Sequence, residues 1–118
     1  MKTLILGASD NPSSYAYLAA NRLLKNGHQI INIGIKSGEV AGFPIERAQK
    51  IYPNVDTITM YIGPLKQAQY YNYIIKTMPR RIIFNPGTEN PELELLAKEA
   101  GIIVQEACTL VLLSTNQY

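Results

Sequence analysis

The stretch KTLILGASDNPSSYAYLAANRLLKNG, residues 2–27, decides the fold. Its short apolar run up to Gly7 is typical of a strand that is buried on both faces of a parallel sheet. A polar segment follows, in which Asn11, Ser13 or Ser14 can cap a helix and Pro12 suits its first turn. From Tyr15 the apolar residues recur at helical spacing, and Gly27 suits the position just after a helix ends. The stretch therefore predicts a strand, a tight loop and a helix in direct succession.

The rest of the chain repeats this alternation of strand and helix. We predict five strands, which lie within residues 3–9, 28–34, 55–63, 80–87 and 102–107. Helices are predicted at residues 15–26, at 64–78 (with Leu65, Ala68 and Ile75 near one face) and at 90–101, with a final helix or edge element at 108–118. Residues 35–43 are predicted to form a loop, and residues 44–55 a short helix or an irregular crossover. The pattern predicts one domain over residues 1–118, an α/β Rossmann-like three-layer domain with a parallel five-stranded sheet.

Composition and charge exclude several classes of protein. Apolar residues make up 47% of the chain and charged residues 17%, as in an ordinary globular protein. The net charge of +2 is too small to suggest a nucleic-acid partner, and no apolar stretch approaches the ~20 residues of a membrane span. The single cysteine fits a reducing compartment, so we expect a cytoplasmic protein. One His and one Cys cannot make a thiolate–imidazole metal site, and no metal is expected.

Four loops that follow the predicted strands indicate where a ligand would bind. In open parallel sheets, ligands bind beyond the carboxyl ends of the strands. The loops that meet there are Gly7–Ser14, Asn32–Gly38, Tyr61–Leu65 and Asn85–Asn90. Their glycines, prolines and small polar residues suit a ligand, although turns are rich in these residues for purely structural reasons.

The first of these loops has the features of an anion site. A helix that starts near residues 11–14 leaves its first amides unpaired, and the positive end of its dipole faces an anion. Gly7 lets the backbone come close, and the hydroxyls of Ser9 and Ser14 can donate to phosphate oxygens. The dinucleotide fingerprint of three glycines is broken from Ala8 onward. Serines that only cap the helix are the alternative interpretation.

The second loop separates the nucleotide classes. NAD-binding domains place a carboxylate near the end of the second strand, where it accepts the ribose hydroxyls. Here that place carries Asn32, Gly34 and Lys36, so plain NAD is disfavoured. A lysine would attract the additional phosphate that both NADP and coenzyme A carry. An ordinary exposed loop lysine is the alternative interpretation of Lys36.

Several segments resemble one known family. They are GASDNP at residues 7–12, GEVAGFPI at 38–45, NPGTENPELELLA at 85–97 and EAC at 106–108. Together with the overall length, they are similar to the small stand-alone CoA-binding domain proteins, which are related to the CoA-binding domain of the succinyl-CoA synthetase alpha subunit. The resemblance implies a Rossmann-like fold with CoA across the first two strand ends. It does not extend to the ligase reaction, because the phosphorylated histidine of that enzyme lies in a separate domain.

The resemblance also implies which residues bind coenzyme A or an acyl-CoA. Around the pyrophosphate it places Gly7, Ala8, Ser9, Pro12, Ser14 and Tyr15. Around the adenosine and the pantetheine it places Asn32, Gly34, Lys36, Tyr61, Pro64, Asn85 and Gly87. The chain departs from the family pattern at residues 31–34, where many relatives read Val-Asn-Pro. It departs again at residues 61–63, where relatives often carry an aromatic residue and an arginine.

No catalytic residue is predicted. His28 starts a strand at the edge away from the site, and Cys108 is expected to be a buried small hydrophobe. Asp10, Glu39 and Glu89 could act as acids or bases, but nothing pairs them with a nucleophile. We therefore predict non-catalytic binding of CoA or an acyl-CoA, as a carrier, sensor or regulatory module. The alternatives are an NADP(H)-binding redox protein and an interaction domain without a ligand, and the exposed tyrosines are compatible with a homodimer.

The substitution Ser9→Asp tests the phosphate loop. The added negative charge is expected to repel a phosphate and to weaken CoA binding roughly tenfold, while the fold stays intact. Calorimetric titration measures the affinity, and circular dichroism checks the fold. An unchanged affinity would mean that the phosphate group lies elsewhere.

Overall fold

The computed structural model describes all 118 residues, which form one mostly parallel sheet with helices on both faces. The strands are β1 Lys2–Leu6, β2 Gln29–Ile33, β3 Glu39–Val40, β4 Phe43–Glu46, β5 Thr57–Met60, β6 Arg81–Phe84 and β7 Ile103–Glu106. The helices are α1 Tyr15–Lys25, α2 Tyr71–Thr77, α3 Pro91–Glu99 and α4 Thr109–Ser114. The strand order is β3-β4-β2-β1-β5-β6-β7, and every pair except β3–β4 is parallel. The predicted α/β Rossmann-like architecture is confirmed in this form.

The sheet has seven strands, so the prediction of five was wrong. The two additional strands, β3 and β4, form an antiparallel hairpin within the stretch expected to be a loop and a crossover. Their two-residue turn has positive φ at Ala41 (56°) and Gly42 (86°), the conformation that matches the twist of paired strands. The buried side-chain amide of Asn32 donates to the carbonyl oxygens of Val40 and Phe43, at 3.2 and 3.3 Å. This amide fastens the hairpin to β2.

The chain from β4 to β5 crosses without a helix. Residues 47–56 consist of turns and irregular backbone, as one of the two predictions for this segment expected. Two partly buried side chains, Ala48 and Tyr52, pack against the core from this crossover. The connection therefore covers part of one face of the sheet in place of a helix.

The single helix expected over residues 64–78 is replaced by three shorter pieces. Pro64–Lys66 and Ala68–Tyr70 are 3₁₀ turns, and the α-helix begins only at Tyr71. A 3₁₀ turn has three residues per turn, so its side chains point in other directions than those of an α-helix. Leu65, expected on the packed face, is 98% exposed, and Ala68 is exposed as well.

Two apolar clusters cover the opposite faces of the sheet. Alternate residues of β1 supply both, because Leu4 and Leu6 point to one face and Ile5 to the other. The first face packs against α2 and α3, and the second against α1 and α4. Burial on both faces explains why the central strands read as continuous apolar runs.

The helix ends follow the sequence signals. Ser14 Oγ accepts from the amide of Tyr17 at 3.1 Å, and the side chain of Asn90 caps α3. Gly27 and Gly101 both follow their helices with positive φ, at 86° and 82°. Each sits in a paired set of closing hydrogen bonds, such as His28 N to Leu23 O at 3.0 Å after α1. None of these helices has the length and apolar character that crossing a membrane would require.

One salt bridge is present, and it joins the amino-terminal ends of two neighbouring strands. Arg80 Nε lies 2.8 Å from Asp56 Oδ1, just before β6 and β5 respectively. The Arg80 guanidinium holds the pKa of Asp56 below its ordinary value of 3.8; burial opposes this effect, and the Thr57 hydroxyl adds to it. The carboxylate is therefore stabilised in its charged form by the fold.

The pH dependence of stability should reveal this pair. Because the folded-state pKa of Asp56 is lowered, the contribution to the free energy of unfolding is complete above pH 3.8 and is lost as the pH falls through the lowered pKa. Arg80→Met should cost up to about 1 kcal/mol at pH 7, and the difference from the wild type should shrink in acid. Urea denaturation of both proteins at a series of pH values measures this difference in the free energy of unfolding.

The exposed Arg22 of α1 provides the control, since it has no carboxylate partner. Arg22→Met should change the free energy of unfolding by a small amount that does not depend on the Asp56 titration. A loss in Arg80→Met that persists unchanged in acid would contradict the assignment.

Candidate functional site

Three cavities open along the carboxyl edge of the sheet, where the predicted loops meet. The sheet-edge cavity, about 330 Å³, lies between the ends of β1, β2 and β5 and reaches Gly7, Gly34 and Lys66. The helix-end cavity, about 500 Å³, lies between the start of α1 and the loop after β6. The inner cavity, about 200 Å³, lies between that loop and the start of α4. Tyr61 lines all three, so they lie side by side around this residue, and together they are called the crevice.

Close backbone contacts shape the floor of this crevice. The amides of Gly7 and Ala8 both donate to the carbonyl oxygen of Ile33, at 2.9 and 2.8 Å. A Cβ atom on Gly7 would lie 2.9 Å from the carbonyl carbon of Tyr61, and one on Gly34 would lie 2.6 Å from the carbonyl oxygen of Ala8. Side chains at positions 7 and 34 would therefore push the three strand ends apart.

The loop before α1 is organised by side-chain oxygens. Ser9 Oγ accepts from the amide of Asn11 at 3.1 Å, and Ser14 Oγ accepts from Tyr17. Both hydroxyls keep their own O–H for a further acceptor. The amides of Tyr15 and Ala16 have no partner within the helix, and both residues line the helix-end cavity together with Ser9 and Ser14. This end of the crevice presents donors to an anion.

Of the residues predicted to contact the adenosine, Asn32 has a structural role. Gly34 lines the sheet-edge cavity, but Asn32 is buried and its amide holds the β3–β4 hairpin. Lys36 is exposed on the loop beyond Gly34. Of the three predicted residues, only Gly34 lies in the cavity wall.

Two basic residues at this side were missed by the sequence analysis. Arg47 lies beside the end of β2, with Nη1 3.4 Å from the carbonyl oxygen of Gly34 and Nη2 3.4 Å from Ser37 Oγ. Lys66 lines the sheet-edge cavity. The pairing of Ile33 with Glu46 brings Arg47 here, and recognising β4 as a strand would have predicted it.

Tyr61 is the central side chain of the crevice. Its hydroxyl is buried beside Thr59 and Thr109 without a hydrogen bond of good geometry. Burial is the main cause that raises the pKa of Tyr61 to about 12, so the phenol is neutral at physiological pH. Pro64, predicted next to it, is exposed and outside the cavity walls, whereas Gly63 lines two of them.

Asn85 is a structural anchor at the wall of the inner cavity. Its Nδ2 donates to Thr59 Oγ1 at 2.7 Å and to the carbonyl oxygen of Met60 at 2.9 Å. Its Oδ1 accepts from the amide of Thr109 at 2.8 Å. The side chain thus joins β5, β6 and α4. Gly87, two residues on, has φ of 91° and lines the helix-end cavity.

A buried glutamine connects the two loops on the far side of the crevice. Gln67 Nε2 donates to the carbonyl oxygens of Ile62 and Thr88, both at 2.8 Å, and Gln67 Oε1 accepts from Asn90 Nδ2 at 2.9 Å. These bonds fix the loop after β5 against the loop after β6. Gln67 was not predicted to have this role, because the sequence pattern indicated a regular helix where the chain forms two 3₁₀ turns.

Pro12, which was predicted to bind the ligand, lies apart from Cys108 and His28, for which no such role was predicted. Pro12 is exposed in the loop before α1 and lines none of the three cavities. Cys108 is half-buried and lines the inner cavity. His28 lies at the opposite edge of the sheet, with its ring 4.9 Å from that of Tyr118. Burial lowers the pKa of His28.

Comparison with known proteins identifies relatives of this arrangement. A family model described as CoA binding domain matches residues 1–114. The crystal structure of an uncharacterized protein is similar with 50% identity and a TM-score of 0.97, over 99% of this chain and 97% of that one. Among curated proteins, no match was found.

Two more distant structures share the fold. A Thermus thermophilus protein aligns with a TM-score of 0.88 and 21% identity, over 99% of this chain and 90% of that one. A hypothetical protein from Pyrococcus horikoshii aligns with a TM-score of 0.82 and 25% identity, over 93% and 78% of the two chains. The fold of this chain therefore recurs in proteins of low sequence identity.

The two glycines at positions 7 and 27 allow the close contact to be measured separately from backbone strain. Both have positive φ, at 99° and 86°, but only Gly7 has atoms within 4 Å of an added Cβ. Gly27→Ala should cost about 1 kcal/mol in the free energy of unfolding. Gly7→Ala should cost roughly 1–3 kcal/mol more, because the Tyr61 backbone must move. Equal losses in denaturant titrations would show that the crevice floor tolerates a side chain.

Proposed function

The chain belongs to the CoA-binding domain family, and on this premise we propose that it binds CoA or an acyl-CoA as a non-catalytic carrier, sensor or regulatory module. The observation that carries the proposal is the pair of unpaired amides, at Tyr15 and Ala16, that border the helix-end cavity. An anion at a helix start gains these donors together with the helix dipole. The hydroxyls of Ser9 and Ser14 supply two more donors.

The glycine contacts support a ligand that lies flat across the strand ends. Because Gly7 and Gly34 have no Cβ atoms, the backbones at the ends of β1, β2 and β5 pack directly against one another and form a floor from which no side chain rises at these two positions. The pyrophosphate then lies at the start of α1, and the adenosine extends over the sheet-edge cavity towards Gly34. The pantetheine extends the other way, past Tyr61 towards Asn85 and Gly87.

Three cations at the adenosine side support a ligand with a third phosphate. Arg47 contacts the carbonyl oxygen of Gly34, Lys36 follows Gly34 by two residues on the exposed loop, and Lys66 lines the same cavity as Gly34. CoA carries a phosphate on its ribose, and an arginine can bind such a group through two parallel hydrogen bonds. NADP carries a comparable phosphate, so an NADP(H)-binding redox protein is the second candidate.

The non-catalytic role is supported by the tasks of the polar side chains around the crevice. Glu89 Oε1 accepts from the amide of Gly87 at 2.9 Å, and Asn85 is fully engaged in holding α4 and β5. Tyr61 is held neutral by burial. Acid–base work requires a group within hydrogen-bonding reach of a reacting atom, whereas Asn85 and Glu89 are committed to the loops themselves.

Side-by-side calorimetric titration with CoA, dephospho-CoA, NADP and NAD tests this function. CoA should bind roughly tenfold more tightly than dephospho-CoA, because charge-assisted hydrogen bonds to the ribose phosphate are lost in the latter. NAD should bind most weakly. Tighter binding of NADP than of CoA would favour the redox alternative. If none of the four ligands binds, an interaction domain without a ligand is favoured.

Lys36→Ala and Arg47→Ala should each reduce the ratio of the affinity for CoA to the affinity for dephospho-CoA. Each removes a positive charge from the adenosine side, so the affinity for CoA falls while that for dephospho-CoA changes little. Lys25→Ala is the matched control, since Lys25 lies in the last turn of α1, away from the strand ends. If this affinity ratio is unchanged in both variants, Lys36 and Arg47 do not bind the ribose phosphate.

A further inference from the structure

The inner cavity differs in chemistry from the rest of the crevice. It has a volume of about 200 Å³ and is lined by Tyr15, Tyr61, Asn85, Pro86, Cys108 and Leu110. The lining contains no Asp, Glu, Lys, Arg or His, whereas the sheet-edge cavity is lined by Lys66. The wall of the inner cavity is formed largely by aromatic and aliphatic groups. Such a wall offers a phosphate no cationic partner.

The polar groups of the inner cavity are already engaged or shielded. Asn85 gives both amide hydrogens to Thr59 and Met60 and accepts from the amide of Thr109. The hydroxyl oxygen of Tyr61 is buried. The wall carries no cationic side chain, and the Tyr61 hydroxyl is only a neutral donor, so a carboxylate that entered the cavity would lose its water without gaining an opposite charge, which is unfavourable. An apolar group would gain from burial.

The inner cavity adjoins the proposed phosphate site. Tyr15, Tyr61 and Pro86 line both it and the helix-end cavity. A ligand with its pyrophosphate at α1 and its adenosine towards Gly34 directs its pantetheine away from β2. The thiol end of the pantetheine therefore points towards Asn85 and Cys108.

We propose that the inner cavity holds the acyl group of a CoA thioester and selects short uncharged acyl groups over free CoA and over acyl groups that end in a carboxylate. The proposal rests on the proposed function, because the phosphate site fixes which end of the ligand reaches the cavity. At about 30 Å³ for a group the size of water, the cavity holds roughly six such groups. An acyl group of about two to four carbons fits beside the thioester.

A matched pair of ligands tests the selection. Butyryl-CoA and succinyl-CoA both carry four acyl carbons, but only the second ends in a carboxylate. Each buried methylene is worth about fourfold in affinity. Butyryl-CoA should therefore bind the wild-type protein at least roughly tenfold more tightly than CoA, and succinyl-CoA should bind more weakly than butyryl-CoA by at least the same factor. Calorimetric titration with all three ligands gives the ratios.

Filling the cavity tests its location. Leu110→Trp should bring the affinity ratio of butyryl-CoA to CoA close to one, since the larger ring occupies the space of the acyl chain. Val111→Trp is the matched control: Val111 is the next residue of α4, is 54% exposed and lies outside the cavity wall. This variant should keep the wild-type ratio. Equal ratios in the two variants would place the acyl group elsewhere.

The outcomes separate this inference from the function on which it rests. Binding of CoA with equal affinities for butyryl-CoA and succinyl-CoA would overturn the acyl selection and leave CoA binding standing. Tighter binding of free CoA than of butyryl-CoA would also overturn the acyl selection and leave CoA binding standing. Absence of binding for all three ligands would overturn both. The wild-type ratios decide the matter even if Leu110→Trp does not fold.

Discussion

The carbonyl oxygen of Ile33, at the end of β2, accepts hydrogen bonds from two consecutive amides, those of Gly7 and Ala8. This double contact turns the chain sharply after β1 and brings the next loop over the end of β2. Because Gly34 lacks a side chain, the loop can lie directly against it. The start of α1, the floor of the crevice and the direction of the unpaired amides all follow from this turn. A wider turn would leave α1 too far from β2 to share one ligand with it.

Local signals predicted the elements that depend on local chemistry. The buried strands were recognisable from apolar runs, and α1 and α3 from their capping residues and terminal glycines. The β3–β4 hairpin was missed because its turn, Ala41-Gly42, lacks the usual asparagine or aspartate, and because Pro44 argues against a strand. Pro44 is tolerated there since β4 uses Ile45 and Glu46 for its pairing with β2. That pairing joins distant segments, and no local pattern encodes it.

The same limit applies to the candidate site. The position of the candidate site at the strand ends could be predicted from the parallel sheet alone. The glycine and the serines of the first loop line its cavities. Asn32 was taken for a ligand residue, yet its amide is required by the hairpin. Arg47 and Gln67 were missed because each is positioned by residues far along the chain, at Gly34 and at Thr88. Sequence thus predicts where the site lies better than which side chains complete it.

The central position of β1 has a consequence for how this chain acquires its fold. The strand at the amino terminus lies in the middle of the sheet, where Thr3 faces Ile30 on one side and Thr57 on the other. Until residues 57–60 leave the ribosome, β1 and β2 are exposed without β5, the strand that covers the open side of β1. Sheets closed by such distant pairings form slowly, and an uncovered apolar strand can associate with other chains. The nascent segment that precedes β5 is therefore a form of this protein that needs protection from aggregation.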